Sequence, residues 1–304
     1  MGGYGFPDPL FAVEDHVQLP MDVLKNVAFI GVVERGRFSP RATGFFVAYD
    51  YKDFRFVHFV TAEHVVSGLM QKGLDLYLRV NLANGETATS PIDPSYWTFY
   101  PDEQNHSDVA ICSLDMEARD SATGGPSVPF DARAAVAKGK DEISGTRELL
   151  TQQGISIGGE LFIVGLFRSH YGRNLNRPII RVGHLAAMAD EPVLTSYAGH
   201  TDAYLIEAMS IGGLSGSPVY VAAPKASKFY LLGLVSGHFD IRDLNSDSVV
   251  EDAAEALGNI NTGVAVVIPV EKIIATLEHP DLQKARDEFL ADLRSRGATP
   301  DSTR

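Results

Sequence analysis

The chain has 304 residues, of which 45% are hydrophobic and 21% charged, a composition typical of a globular protein with room for one large domain or two small ones. Its net charge of −13 disfavours nucleic acid and anionic membrane surfaces as partners, because both attract basic proteins. No apolar stretch reaches the roughly 18 residues that a membrane-spanning helix needs, and the single cysteine, Cys112, excludes a disulfide within the chain.

The N-terminal segment, residues 1–20, is rich in proline and acidic side chains and is predicted to form an arm. It carries no basic segment followed by a long apolar run, so it does not resemble a secretory signal. Together with the lone cysteine, this leads us to expect a reducing, cytoplasmic location.

Residues 21–116 contain short apolar runs rich in Val, Phe and Tyr, such as FRFVHFVTA at 54–62. Runs of this kind, separated by turn residues, are typical of β-strands. The pair Asn84-Gly85 lies between two of them and predicts a hairpin. We therefore expect a first β-barrel over this segment.

Residues 117–154 interrupt the pattern, because they are polar and rich in Gly and Pro at their start. They predict a long connection between barrels that is partly helical at its end. Strand-like runs resume over 155–272, which we expect to form a second β-barrel. Residues 273–304 have helical spacing, and Pro280 divides them into two C-terminal helices followed by a tail. The predicted fold class is all-β, with two lobes.

The segment around Ser215 carries the strongest chemical signal. A nucleophilic serine needs backbone N–H groups directed at the oxyanion that forms on the substrate. Glycines at 213 and 216 leave room for the substrate carbonyl, and the N–H groups of Gly213 and Ser215 can point to it. The alternative is a glycine-rich turn without function. The nucleophile elbow of α/β-hydrolases does not fit, since Ser217 occupies a position where that motif requires Gly.

A serine nucleophile requires a general base, and His64 is the candidate because it lies at the end of the apolar run FRFVHFV. A histidine at a strand end is held by the sheet, which suits a base whose tautomer is fixed by a carboxylate. The alternative for His64 is a polar loop residue. His58 lies in the same run, but its alternation with Val57 and Phe59 predicts an outward-facing strand position, so we reject it.

The carboxylate candidate is Asp108, which directly precedes the buried-looking run VAIC. An aspartate there can stay ionised beside an imidazole whose N–H satisfies it. The alternative is a cap at the start of a strand. Asp102 and Asp115 lie nearby but lack this setting. The chain order His, Asp, Ser is that of chymotrypsin-type enzymes and differs from the orders of subtilisin and the α/β-hydrolases.

The blocks VTAEHVV, SDVAICSL and GGLSGSPVYV resemble the three sequence blocks of the trypsin/chymotrypsin-like serine peptidases, most closely their bacterial, disulfide-free domains. The resemblance covers about residues 25 to 276. It implies a chymotrypsin-like double β-barrel with a C-terminal helix and an active site between the barrels. It also implies Ser215 as nucleophile, His64 as general base and then acid, and Asp108 as the group that orients His64, with an oxyanion hole formed by Gly213 and Ser215.

The resemblance also bears on substrate preference. By the family pattern, Met209 forms the base of the pocket for the P1 residue, and the walls come from Ser210, Ser236, Gly237 and His238. Met209 favours a medium-sized apolar P1 residue, while His238 leaves an acidic or amide residue as the alternative. Leu214 stands where relatives activated by N-terminal cleavage have an aspartate, so we predict no such activation here.

The sequence therefore predicts a serine endopeptidase that acts on polypeptides. The alternative is a catalytically latent binding or regulatory module on the same fold, one that needs a protein partner for activity. The acidic arm and the 117–154 insertion motivate this alternative. No metal-binding or nucleotide-binding motif is found, so we expect neither a metal nor a cofactor.

Overall fold

The computed structural model describes residues 19–102, 106–114, 117–118, 128–195, 199–209, 212–240 and 261–295. Most of the predicted N-terminal arm, the pocket residue Ser210 and the alternative carboxylate Asp115 lie outside the described residues. Within them, strands predominate up to residue 269 and two helices follow.

The N-terminal lobe is an eight-stranded sheet. Seven of its strands have the order β5-β4-β1-β2-β3-β7-β6, and the eighth, β10, pairs parallel with β2. The predicted hairpin at Asn84-Gly85 is confirmed, because β4 and β5 pair antiparallel on either side of it and Gly85 has a φ of +83°. The elements are β1 Val27–Glu34, β2 Arg37–Tyr51, β3 Phe54–Thr61, α1 Glu63–Gln71, β4 Leu76–Asn81, β5 Thr87–Ile92, β6 Trp97–Phe99, β7 Ala110–Ser113 and β10 Ala135–Lys138.

The segment between the lobes is more structured than a simple connection. Its strand β10 belongs to the N-terminal sheet, and the helical end that the sequence predicts is the short helix α2. Thr146 caps this helix by accepting a hydrogen bond from Leu149 N–H, and Gly154 ends it with a φ of +69°. The elements of this segment besides β10 are β8 Glu117–Ala118, β9 Val128–Pro129 and α2 Arg147–Gln153.

The C-terminal lobe is a closed six-stranded barrel with the order β11-β12-β15-β18-β17-β16. The strands β13 and β14 form a separate pair outside this barrel. The elements are β11 Glu160–Gly165, β12 Ile179–Ala187, β13 Val193–Thr195, β14 Gly199–Thr201, β15 Tyr204–Glu207, β16 Pro218–Ala223, β17 Lys228–Asp240, β18 Asn261–Pro269, α3 Val270–Leu277 and α4 Pro280–Ser295. The all-β fold with two lobes and C-terminal helices is thus confirmed, and the second helix begins at Pro280.

Three groups of buried side chains hold these parts together. One lies inside the N-terminal sheet, where Ile92 of β5 and Trp97 of β6 share a core although they come from opposite ends of the strand order, so the sheet curls around its own interior. A second fills the closed barrel. The third joins the lobes and includes Phe45 of β2, Leu234 of β17 and Ile273 of α3. Burial of each such side chain contributes roughly 1.5–3 kcal/mol, so the lobes are docked firmly against each other.

Helix α4 covers the outer face of the β2–β3 hairpin. Its Arg286 is 2% exposed and lies over the rings of Tyr49 and Tyr51, at 4.6 and 5.2 Å from the ring centroids. The same guanidinium is 3.3 Å from Nε2 of His58. The prediction that His58 faces outward is wrong, because α4 buries that face and leaves His58 only 2% exposed. Burial, together with the nearby Arg286 charge, lowers the pKa of His58 to about 3.

Candidate active site

His64 and Asp108 are brought together by the pairing of β3 with β7. The two strands run antiparallel with Thr61 opposite Ala110, so the residues that follow β3 and those that precede β7 lie at the same edge of the sheet. His64 is the second residue of α1, and Asp108 is two residues ahead of β7. The sheet thus holds both residues at elements whose backbones are fixed.

The carboxylate of Asp108 holds His64 at two points. One oxygen, Oδ1, accepts the backbone N–H of His64 at 2.8 Å, and the other, Oδ2, is 2.8 Å from the ring Nδ1. Because Nδ1–H donates to the carboxylate, Nε2 is the ring nitrogen left to accept a proton. The side chain of His64 is 43% exposed and that of Asp108 only 3%, so the imidazole is accessible to solvent while its partner stays buried.

A third residue completes this network. Ser236 on β17 is 1% exposed, and its hydroxyl donates to Oδ2 of Asp108. Burial works to raise the pKa of Asp108, but the hydrogen bond and charge of His64, with help from Ser236, hold it below its usual range. Asp108 is therefore the ionised member of the pair.

The same network raises the pKa of His64. Burial tends to lower the pKa of its imidazole, but the Asp108 hydrogen bond and the charges of Asp108 and Glu63 outweigh burial and raise the pKa above the usual 6.5. The carboxylate thereby makes His64 a stronger base.

Glu63 and His106 border this pair and were not singled out from the sequence. Nε2 of His106 is 3.5 Å from Oε2 of Glu63. Burial raises the pKa of Glu63, with the charge of His106 opposing this and that of Asp108 adding to it. The only sequence signal for Glu63 is its place next to His64 in the chain.

The turn that carries Ser215 is fixed by its backbone. The carbonyl of Ser215 accepts the N–H of Thr43 at 3.1 Å, and the carbonyl of Gly213 accepts the hydroxyl of Thr43 at 2.7 Å. The same hydroxyl accepts the N–H of Leu166 at 2.9 Å. On the other side of the serine, Gly216 N–H donates to the carbonyl of Val235 at 2.7 Å. The N-terminal lobe therefore supports the turn directly.

Gly216 allows the serine turn to pack closely against the segment that leads to His64. Its φ is +78°, and a Cβ placed there would lie 2.2 Å from the carbonyl oxygen of Thr43 and 2.3 Å from Oγ1 of Thr61. Thr61 is three residues ahead of His64, so the serine turn packs against the strand end that carries the base. The structure gives this glycine a packing role, where the sequence indicated only clearance for substrate.

The oxyanion hole predicted at the N–H groups of Gly213 and Ser215 stays a prediction. Within the described residues, neither Gly213 nor Ser215 donates its backbone N–H to a protein acceptor. Gly213 has a φ of +110°, a conformation that favours glycine. Leu214, between them, is fully buried and projects into the barrel core. An aspartate with this side-chain direction would place a charge in that core. The absence of activation by N-terminal cleavage stays a prediction.

The residues predicted for the P1 pocket have different surroundings. Met209 is 59% exposed, and its carbonyl accepts Nη1 of Arg181 at 2.6 Å. His238 is partly buried with Nε2 3.3 Å from Oδ1 of Asp240, and Gly237 beside it is half-buried. The hydroxyl of Ser236 donates a hydrogen bond to Asp108. The sequence did not predict this contact, because it depends on β17 of one lobe meeting the segment ahead of β7 in the other. The pocket itself stays a prediction.

Neither metal ligation nor a membrane span is evident in the part of the chain that the structure describes. No group of three His, Cys, Asp or Glu side chains among these residues is placed to hold a metal ion. None of the helices within them is both long enough and apolar enough to cross a membrane.

No protein-family model and no curated protein matches the chain. Among solved structures, it is similar to the MamO protease domain from Magnetospirillum magneticum, with 16% identity and a TM-score of 0.49 over 84% of this chain and 97% of that one. It is also similar to Deg5, with 14% identity and a TM-score of 0.46 over 83% of this chain and 87% of that one. A third is the HtrA-type protease AlgW with a tripeptide, with 14% identity and a TM-score of 0.47 over 86% of this chain and 64% of that one. Two of these three neighbours, the MamO domain and AlgW, are proteases.

Proposed function

We propose that this protein is a serine endopeptidase that hydrolyses peptide bonds through an acyl-enzyme on Ser215. The observation that carries the proposal is the Asp108 carboxylate, which is hydrogen-bonded to both the backbone N–H and the ring Nδ1 of His64. The serine turn packs against the strand end that leads to this histidine. Acyl transfer requires an imidazole held by a carboxylate and a serine turn with N–H groups free to bind an oxyanion. Among the described residues, the backbone N–H groups of Gly213 and Ser215 have no protein acceptor.

In the first half-reaction, Ser215 Oγ attacks the carbonyl carbon of the scissile bond while His64 Nε2 takes the hydroxyl proton. Asp108 retains Nδ1–H as its hydrogen-bond donor and stabilises the imidazolium that forms. The N–H groups of Gly213 and Ser215 bind the oxyanion of the tetrahedral intermediate. His64 then gives its proton to the leaving amine, the C–N bond breaks and Ser215 is acylated.

In the second half-reaction, water attacks the acyl carbon and His64 takes a proton from it. The same two N–H groups bind the second oxyanion. When this intermediate collapses, His64 returns its proton to Ser215 Oγ, which restores the enzyme and releases the new carboxyl terminus. Asp108 is already ionised and keeps its charge throughout.

The proposal is tested by incubating the purified chain with denatured casein and following new peptide termini by mass spectrometry. Turnover that is lost in Ser215→Ala, with the thermal denaturation midpoint unchanged, supports the proposal. Ser227→Ala serves as a matched control, since that serine is exposed and lies at the β16–β17 turn. A correctly folded wild-type chain without turnover contradicts the proposal and favours the alternative of a latent binding or regulatory module with a protein partner.

A further inference from the structure

Arg168 reaches from the C-terminal barrel to the N-terminal sheet beside the serine turn. It is the first residue of a short 3-10 turn, Arg168–His170, that follows β11 of the C-terminal barrel. Its Nη2 donates to the carbonyl of Arg41 on β2 of the N-terminal sheet at 3.2 Å. A Cβ placed on Gly212 would lie 3.7 Å from its Cζ, and one on Gly213 would lie 3.4 Å from its Cγ. The guanidinium thus lies against Gly212, the residue that precedes the first of the two N–H groups proposed for the oxyanion hole.

The charge of Arg168 is not compensated within the described residues. Arg168 is exposed and none of the ion pairs there includes it, whereas its neighbour Arg41 is already paired with Glu34 at 2.5 Å. What distinguishes this cation is its position beside the serine turn, within a chain whose net charge is −13. A free positive charge beside the catalytic turn attracts an anionic group of a bound ligand.

The geometry of the guanidinium suits a carboxylate. An arginine has five N–H donors, and the contact to the Arg41 carbonyl uses one of them. That contact also holds the planar group in place, which reduces the entropy lost when a second partner binds. Because Gly212 has no side chain, this residue places no side-chain atom between the guanidinium and the serine turn. The remaining donors can bind a carboxylate in a bidentate manner.

We propose that Arg168 selects the substrate by binding an Asp or Glu side chain within two residues of the scissile bond. The proposal rests on the proposed function to the extent that it places the scissile bond at Ser215. The substrate class is then a polypeptide with an acidic residue close to the cleaved bond. Arg168 is a specificity-determining residue that acts on substrate and not on the proton transfers.

The first arm of the test uses the active chain on a mixture of unfolded peptides whose cleavage sites are read by mass spectrometry. We expect Asp and Glu to be enriched at one position within two residues of the cleaved bond. The enrichment is lost in Arg168→Gln, partly kept in Arg168→Lys, and kept fully in Arg294→Gln. Arg294 is an exposed residue in the last turn of α4, so that variant controls for the change in net charge.

The second arm does not depend on turnover. Ser215→Ala and the double variant Ser215→Ala, Arg168→Gln are titrated with fluorescein-labelled peptide pools that differ only by one Glu or one Gln, and binding is followed by anisotropy. A hydrogen-bonded charge contact of roughly 1.5 kcal/mol predicts about tenfold tighter binding of the Glu pool to Ser215→Ala. The double variant should bind both pools equally, with a thermal denaturation midpoint matching that of Ser215→Ala.

The outcomes separate the two proposals. Cleavage without acidic enrichment, or an acidic preference that survives Arg168→Gln, overturns the role of Arg168 and leaves the peptidase assignment standing. A preference that disappears only in Arg181→Gln also overturns it, because the cation would then be the one that contacts Met209. Absent cleavage with a Glu preference that depends on Arg168 refutes the peptidase and keeps the binding role. Absent cleavage with equal binding refutes both.

Discussion

The two halves of the candidate site are stabilised in different ways. The half on the N-terminal lobe, His64 and Asp108, is held mainly by side-chain hydrogen bonds and charge. The half on the C-terminal lobe, the turn with Ser215, is held by backbone hydrogen bonds and by glycine packing. The first half is therefore sensitive to the chemical identity and protonation of its side chains, and the second to the size of its residues and the backbone fit.

Each half also depends on one residue of the other lobe. Ser236 of the barrel donates to Asp108, and Thr43 of the N-terminal sheet supports the carbonyls of Gly213 and Ser215. Correct docking of the lobes is thus needed for the charge network and for the serine turn alike. Substitutions on the two sides should separate loss of chemistry from loss of stability.

The largest expected effect is on the rate when Asp108 becomes Asn. The amide can donate to Nδ1 of His64, which stabilises the tautomer that cannot accept the serine proton. We expect kcat to fall by about 10⁴-fold while the fold is retained, a magnitude known for the equivalent change in a trypsin-type triad. Peptide turnover measures the fall in kcat, and thermal denaturation shows whether the fold is retained. Asp75→Asn, an exposed change in the same lobe, should leave both unchanged.

The next effect is on stability when Gly216 becomes Ala. The added methyl group would lie 2.2 Å from the carbonyl oxygen of Thr43, with φ at +78°. Overpacking and the unfavourable backbone should lower the free energy of unfolding by roughly 2–4 kcal/mol, with activity lost in parallel. Chemical denaturation measures this. Gly68→Ala is the matched control, since a Cβ there meets no atom within 4 Å and Ala favours helix α1 by about 0.5–1 kcal/mol. Equal stability of the two variants would refute the packing role of Gly216.

Thr43→Val tests the support that the N-terminal lobe gives to the serine turn. The change keeps the shape of the side chain but removes the hydroxyl that contacts Gly213 and Leu166, leaving a buried carbonyl and a buried N–H without this partner. We expect a loss of about 1–3 kcal/mol in the free energy of unfolding, and a lower kcat because the turn is less well fixed. Thr89→Val, on the exposed side of β5, is the control. Wild-type kcat in Thr43→Val would show that the turn does not need this support.

Ser236→Ala is expected to have a smaller effect, because Asp108 keeps both of its contacts with His64. Loss of one hydrogen bond of about 1 kcal/mol predicts a decrease of about fivefold in kcat. Ser90→Ala, at an exposed position on β5, should have no effect. A loss as large as that of Asp108→Asn would mean that Ser236 takes part in the chemistry itself.

The last effect is on pH dependence. Only neutral His64 can accept the serine proton, and its pKa is raised above 6.5. The value of kcat/KM should therefore rise with pH through a midpoint above 6.5. In Asp108→Asn the carboxylate no longer raises the pKa, so the midpoint of the residual activity should move to lower pH. An unchanged midpoint in that variant would contradict the assignment of the acid limb to His64.

The sequence predicts the strands around the site well, because the apolar runs that precede His64 and follow Asp108 are strongly strand-like. It cannot predict the contact of Ser236 with Asp108, which depends on how the two lobes dock. The burial of His58 also depends on a contact between residues that are far apart in the chain. Alternation along β3 distinguishes the two faces of the strand. It gives no information on the helix that buries His58, because Arg286 of that helix lies 228 positions later in the chain. The packing role of Gly216 could not be predicted, since the backbone that it approaches is not visible in a local sequence pattern.

The most direct test of the account is covalent labelling with a fluorophosphonate probe, located by mass spectrometry of the digested protein. The account predicts one labelled serine, Ser215, because His64 and Asp108 activate that hydroxyl alone. Labelling should be abolished in Ser215→Ala and strongly slowed in Asp108→Asn. Labelling that persists in Ser215→Ala, or a correctly folded wild-type chain that is not labelled at all, would contradict the claim that the two lobes together build a working nucleophile.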